Sequence, residues 1–406
     1  MLAREQLRVG NAGEALRIAG QVASTAQSGD FEAVSLIGQI LYKSGRHEEL
    51  LDFLSGEPEF RNSARGRVLR ARLLFREGEL EREEQLLRET SQQALDPVAR
   101  RIVAFELVRC LDTQQKYTEA WFIASQEHQR RTNRYPVHVL DATLRNTAAA
   151  ASEELKRVRR ADQPAALSAV LLGMPRSGTT LLEQMLDRHS GIVGVGEHEF
   201  AGEMLDEIAD LGGGWPVGAL RVPTAALNQM QTRYLQGTRV RFQVPADSWV
   251  LDKTVFPMMQ PLFVACILPG GSVIRLSRCA RDNAVSLFLN NMHPSWSWTS
   301  SLQSIHAVLM SERRWVNAIL QKLDIPTHCL KYEDLVKHPE LEIEKVLRFL
   351  GVSFEQGCLH PDLNQRLVFT PSEEQVKKPV KQDRMGRWEN YAQFFDDSWK
   401  TLDELD

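Results

Sequence analysis

Over the first 130 residues apolar positions recur every three or four residues, as in Val34-Leu36-Ile37-Ile40-Leu41 and Leu69-Leu73-Leu74. That period predicts helix after helix. From about residue 167 the pattern changes. The short apolar run Leu167-Ser168-Ala169-Val170-Leu171-Leu172 predicts a buried strand, then a glycine-containing turn, then a helix carrying Leu181, Leu182, Met185 and Leu186. Trp249-Val250-Leu251, Val273-Ile274-Arg275-Leu276 and Thr327-His328-Cys329-Leu330 predict three further strands. Helical segments separate them, which argues for a parallel sheet with helices on both faces. In between, Pro136 breaks a helix, and the stretch through Ala148-Ala149-Ala150-Ala151 and Arg157-Val158-Arg159-Arg160 reads as a helical connection. The expected organisation is helical repeats over 1–132, a helical linker over 133–165, and a P-loop-like α/β domain over 166–406.

The helical part repeats weakly. Segments beginning at Gly10, Gly45, Gly78 and Gln115 share one layout, and their starts lie 35, 33 and 37 residues apart. In each, one helix stops at Gly (or Gln) and a second begins within a few residues. A residue with positive φ commonly ends a helix in this way. The spacing is close to the period of about 34 of a helix pair, and the stretch resembles four degenerate tetratricopeptide repeats. Two readings follow: a concave surface for a protein or peptide partner, or a helical extension that only packs.

Composition narrows the class. The 406 residues are 43% hydrophobic and 25% charged, with 49 basic against 53 acidic side chains and a net charge of −4. These values exclude collagen-like and disordered chains and give no global electrostatic case for nucleic acid or membrane. The basic run at Arg157–Arg160 lacks interleaved aromatics and reads as a solvated helix face. Five cysteines, Cys110, Cys266, Cys279, Cys329 and Cys358, are odd in number and form no CxxC pair. Neither a disulfide framework nor a zinc site is indicated. Charges occupy the place of a signal core at the N-terminus, and no run of 18 apolar residues occurs. The expectation is a soluble, cytoplasmic protein with free thiols.

The most informative string is Gly173-Met174-Pro175-Arg176-Ser177-Gly178-Thr179-Thr180. Between a strand and a helix, backbone N–H groups and a helix N-terminus make an anion site. Gly173 and Gly178 have P-loop spacing, and Thr180 stands where that motif has its hydroxyl, but Thr179 replaces its lysine. The cation is instead Arg176, inside the loop.

This string resembles the 5′-phosphosulfate-binding loop of sulfotransferases that use 3′-phosphoadenosine-5′-phosphosulfate (PAPS), above all tyrosylprotein sulfotransferases and bacterial tetratricopeptide-repeat sulfotransferases. The resemblance covers roughly residues 167–395. It implies that Pro175, Arg176, Ser177, Gly178, Thr179 and Thr180 hold the 5′ end, and that Arg278 and Ser286, after the strand Val273–Ser277, hold the 3′-phosphate. Where the family usually has proline two residues after that arginine, this chain has Ala280, with Arg281 beside it. Tyr332, in Lys331-Tyr332-Glu333-Asp334-Leu335, is placed near the adenine. Ser372 and Lys378, in a stretch running on to Gly386-Arg387-Trp388, are placed on the phosphates. Lys253 is placed at the bridging oxygen.

Sulfuryl transfer needs in-line positioning, charge stabilisation and a base for the acceptor hydroxyl. Glu197 falls where tyrosylprotein sulfotransferases carry their glutamate. His198 is its rival, because an unperturbed histidine suits neutral pH. The resemblance implies no metal. Acceptors open at this stage are a protein tyrosine, a saccharide or a small alcohol or phenol, with the repeats favouring a large one. The segment His293-Pro294-Ser295-Trp296-Ser297-Trp298 reads either as a wall of the acceptor site or as packing. Two other functions are compatible with parts of the sequence: a P-loop-type nucleotide kinase, and a non-catalytic helical-repeat adaptor with a nucleotide-binding domain.

Overall fold

The computed structural model describes residues 2–403 apart from 9–10, 26–30, 132–134, 150–156, 198–199, 213–220, 254–259, 365 and 367–378. The chain forms two compact units.

The first unit holds the N-terminal helices and the segment Phe288–Ser301. Its helices are α1 (Leu2–Arg8), α2 (Ala12–Thr25), α3 (Glu32–Lys43), α4 (His47–Gly56), α5 (Pro58–Asn62), α6 (Ala64–Glu77), α7 (Leu80–Ser91), α8 (Pro97–Thr113) and α9 (Tyr117–Gln129). At three of the repeat junctions read from the sequence, Gly45, Gly78 and Gln115 have φ of 74°, 81° and 62°. A left-handed residue turns the chain sharply there, so α3 folds back on α4, α6 on α7 and α8 on α9. Leu41, Leu50, Leu54, Phe60, Leu69 and Leu73 form one buried core of this unit. Charged pairs tie its later helices together: Arg72 with Glu106, Arg109 with Glu83, and Lys116 with Glu84 at 2.6 Å.

Segment 288–301 was expected within the α/β domain; instead it packs on α8 and α9. Trp121 stacks on Phe288 with centroids 4.2 Å apart. The His128 Nε2–H donates to the Phe288 carbonyl at 2.8 Å, and Arg131 donates to the carbonyls of Met292 and Trp296. Trp298 is wholly buried. Of the two sequence readings for this tryptophan, packing is the one its burial supports.

The second unit begins with α10 (Val137–Ala149), inside the stretch read as a linker. Its Asp141 accepts from Ser311 Oγ at 2.8 Å and Trp315 Nε1 at 3.1 Å, both on the helix Leu302–Lys322. This helix therefore packs as part of the unit's body. The unit's sheet has five parallel strands in the order β2-β3-β1-β4-β5, made of β1 (Ser168–Gly173), β2 (Ile192–Gly196), β3 (Trp249–Asp252), β4 (Ser272–Ser277) and β5 (Thr327–Lys331). β1 is central and buried throughout, with Ser168 opposite Val250 on one side and Gly173 opposite Leu276 on the other. Ala169, Leu171, Ile274, Leu276 and Leu330 supply one apolar face, covered by Leu182, Met185, Ile343, Val346 and Leu347 from helices. Four strands match the sequence reading. β2 was not foreseen, because Ile192-Val193-Gly194-Val195-Gly196 is short and its glycines dilute the strand signal.

Candidate active site

In an open parallel sheet, ligands bind beyond the carboxyl ends of the strands. Here the residue or loop that leaves each strand carries one of the side chains singled out from the sequence. β1 runs into the loop 174–178, β2 into Glu197, β3 into Lys253, β4 into Arg278 and β5 into Tyr332. The strand order sets them out in a row: Glu197 and Lys253 on one side of the loop, Arg278 and Tyr332 on the other.

The loop is a tight backbone cradle. Arg176 and Gly178 have φ of 69° and 100°, and Ser177 N–H donates to the Met174 carbonyl at 3.0 Å. Gly178 caps the helix Thr179–Leu186 in the left-handed conformation. A Cβ on Gly178 would collide with the Tyr332 ring, and one on Gly173 would strike Ser177 Oγ and the Leu276 carbonyl. Close approach therefore requires both glycines, and at Gly178 the left-handed backbone requires one as well. The Asn283 amide donates to the Pro175 carbonyl at 2.9 Å and fixes the loop from the helix Ala280–Phe288.

Cations converge on this cradle. Arg176 Nε donates to Ser286 Oγ at 2.9 Å. Arg278 donates to the carbonyls of Arg176 at 3.0 Å and Arg384 at 2.6 Å, and its guanidinium lies 4.7 Å from the centroid of Tyr332. Burial, reinforced by the positive charges of Arg278, Arg384 and Arg387, pulls Arg176 down to about 9. Such a depression marks a site short of negative charge. The C-terminal segment that brings Arg384 and Arg387 is latched by Asp282, 2% exposed, which accepts from the N–H groups of Gly386 and Trp388 at 2.8 Å each. Arg281 lies 4.4 Å from the Trp388 ring centroid. At this cradle the buried donors Ser177 Oγ and Arg278 Nε have no hydrogen-bond partner among the described residues.

On the other side, Lys253 is 1% exposed and donates to Glu197 Oε1 at 2.7 Å. A second carboxylate, Glu183, has its Oε2 3.9 Å from the same ammonium and accepts the Gly196 N–H at 2.7 Å. Sequence reading passed over Glu183, which sits in an amphipathic helix pattern; only its place one turn after the loop signalled it. Next to Lys253 in sequence, the Asp252 carboxylate accepts from the buried Tyr234 hydroxyl, whose own ionisation burial pushes well above 10.

The structure thus brings together Arg176, Ser286, Arg278, Gly178 and Tyr332, and separately Lys253 with Glu197. Thr179 and Thr180 are buried in the first turn of the loop helix. His198, Ser372 and Lys378 lie outside the described residues. Among the described residues no cluster of three or more His, Cys, Asp or Glu is placed to hold a metal ion. No described helix is long and apolar enough to cross a membrane.

Residues 169–356 match the sequence model of a family described as "Sulfotransferase family". An uncharacterised protein of Aquifex aeolicus is 26% identical over 252 residues, covering 60% of this chain and 33% of that protein. Protein-tyrosine sulfotransferase 2 of Gallus gallus is 24% identical over 241 residues, covering 53% of this chain and 61% of its own. The chain therefore spans between a third and three-fifths of the length of these relatives. Among solved structures, the sulfotransferase domain from the curacin biosynthetic pathway superposes with a TM-score of 0.40 at 18% identity, covering 60% of this chain and 97% of that one.

Proposed function

Residues 169–356 form a sulfotransferase-family domain, and on that premise we propose that the chain moves a sulfuryl group from PAPS to an acceptor hydroxyl. The observation that carries this reading is the division of labour along the strand ends. One side is an arginine-lined cradle for a nucleotide bisphosphate, and the other is a buried Lys253–Glu197 pair for the reacting atoms.

The residues present fit such a nucleotide. Ser177 Oγ and Arg278 Nε are buried donors that a phosphate or sulfate oxygen would satisfy, and the positive charges of Arg278, Arg384 and Arg387 beside Arg176 favour an anion there. Thr179, in the place of the P-loop lysine, removes the cation that β/γ-phosphate chemistry relies on. Arg176, Ser177 and the loop N–H groups would hold the 5′ end, Arg278 and Ser286 the 3′-phosphate, and Tyr332 the base.

In the transfer, the acceptor oxygen bonds to sulfur as the bond from sulfur to the bridging phosphate oxygen breaks, and that electron pair leaves on the 5′-phosphate. Glu197 takes the acceptor's proton, and Lys253 stabilises the charge that builds on the leaving oxygen. Glu197 is the base in this reading, because its carboxylate already bonds the buried Lys253 ammonium; His198 is its rival there. The acceptor is a tyrosine-containing peptide or protein, a reading supported by the similarity to protein-tyrosine sulfotransferases and by a helical unit large enough to present one.

The test is transfer from PAPS carrying radiolabelled sulfate to a tyrosine peptide and, in parallel, to a simple phenol and an oligosaccharide. Label on the peptide tyrosine, reduced at least a hundredfold in Glu197→Ala and Lys253→Ala, is expected. Label on the saccharide alone contradicts the acceptor, and label nowhere contradicts the activity.

A further inference from the structure

The pairing of Lys253 leaves a charge problem that Glu197 alone does not solve. Lys253 is almost wholly enclosed, and a buried ammonium without a counter-charge reverts to the neutral amine. Glu197, with 39% of its side chain exposed, faces outward, and in the proposed reaction it becomes neutral as it captures the acceptor's proton. At that moment Lys253 must be most positive, because the leaving oxygen is gaining charge. Among the described residues, the charged and titratable groups around Lys253 are Glu197 at the end of β2, Glu183 on the helix Thr179–Leu186 and Asp252 beside it on β3. Asp252 is engaged by Tyr234. Glu183 is 2% exposed, and its Oε2 stands 3.9 Å from the ammonium.

We propose that Glu183 is the standing counter-ion of Lys253 and a positioning residue for the transfer. It keeps the ammonium charged while Glu197 is protonated, and through the Gly196 N–H it fixes the end of β2 from which Glu197 projects. The two oxygens divide these tasks, Oε1 holding backbone and Oε2 facing charge. Glu183 also joins the two sides of the site, since its helix begins at the anion loop.

The mechanistic role rests on the sulfotransferase reading, so the experiment has one arm that needs no turnover. Glu183→Gln keeps an oxygen for Gly196 N–H and removes only the charge. Lys253 should then deprotonate at lower pH than in the parent chain, by at least one pH unit when followed by NMR of the labelled side chain. In the kinetic arm, kcat should fall tenfold or more, with affinity for 3′-phosphoadenosine-5′-phosphate unchanged within threefold. Both limbs of the pH–rate profile should move to lower pH, because one negative charge is lost beside both the acid and the base. Glu183→Asp, which keeps the charge, should restore the position of both limbs. An unmoved Lys253 titration in Glu183→Gln overturns the counter-ion. Equal losses in the Gln and Asp variants with unmoved limbs overturn it too, leaving a packing role. If the parent chain turns over no PAPS, the function fails while the NMR arm still decides the pairing.

Discussion

Arg176 and Ser286, 110 positions apart in sequence, are joined by a 2.9 Å hydrogen bond from guanidinium to hydroxyl. That bond ties the loop after β1 to the helix after β4 and gives the anion cradle its two walls. Arg176 is held there against its own electrostatics: burial, then the neighbouring arginines, pull it down to about 9. A cation whose folded value lies below its free value is destabilising while charged, and the stability it withholds returns only as pH rises through that folded value. At neutral pH, Arg176→Gln should therefore leave the ligand-free melting temperature unchanged or raise it. The same variant should weaken binding of 3′-phosphoadenosine-5′-phosphate by about a hundredfold, on the order of 3 kcal/mol for lost charge-assisted bonds. Thermal shift and calorimetry on the same preparations check both signs.

Gly178 meets the Tyr332 ring face with no room for a methyl group, at a φ of 100°. Gly178→Ala should cost roughly 2 kcal/mol of stability from backbone strain and collision together. Adding Tyr332→Ala removes the collision and leaves the strain. The double variant should therefore lose less than the two single losses combined, as a double-mutant cycle in denaturant will show.

The Asp282 latch predicts a graded series. Asp282→Ala frees the N–H groups of Gly386 and Trp388, and with them the placement of Arg384 and Arg387. Affinity for the bisphosphate should fall about tenfold, and its dependence on salt should flatten as fewer cations reach the ligand. Asp282→Asn should fall nearly as far, because its amide presents N–H towards one of the two N–H donors. Titrations at two salt concentrations test this.

The helical unit carries a separate pH signature. Burial lowers His128 from 6.5 to about 3, and its Nε2–H bond to the Phe288 carbonyl needs only the neutral ring. A depressed folded value means that stability is fully present above pH 6.5 and is lost as pH falls towards 3. The whole window is worth roughly 5 kcal/mol at 1.36 kcal/mol per unit. Between pH 7.5 and 5 the parent chain should lose more melting temperature than His128→Gln does; parallel curves for the two contradict this account.

Legibility in the sequence followed signal type. β1, β3 and β4 were readable because short, largely apolar runs advertise buried parallel strands. β5, the edge strand Thr327–Lys331, is mixed in character and largely uncovered, and was read from its place between helical segments. The repeat junctions were readable because Gly45 and Gly78 are glycines; Gln115 adopts the same left-handed turn and was found only through the repeat spacing. β2 was hidden by its own glycines. The cradle could be read because eight consecutive residues build it, and Arg278 and Ser286 because a family resemblance pointed to them. Glu183, Asp282 and Arg384 could not be singled out, since each acts through tertiary contacts that no local pattern records. Segment 288–301 was misplaced for the same reason: its partners, Trp121, His128 and Arg131, lie more than 150 residues away.

The central claim, that the strand-end cradle is built for an adenosine bisphosphate and not for a triphosphate with magnesium, is tested most directly by calorimetric titration of the whole chain with each. The account predicts micromolar binding of 3′-phosphoadenosine-5′-phosphate, abolished in Arg176→Ala and Arg278→Ala, and binding of ATP with magnesium at least a hundredfold weaker. Tight binding of ATP with magnesium and none of the bisphosphate would contradict it and return the chain to the kinases.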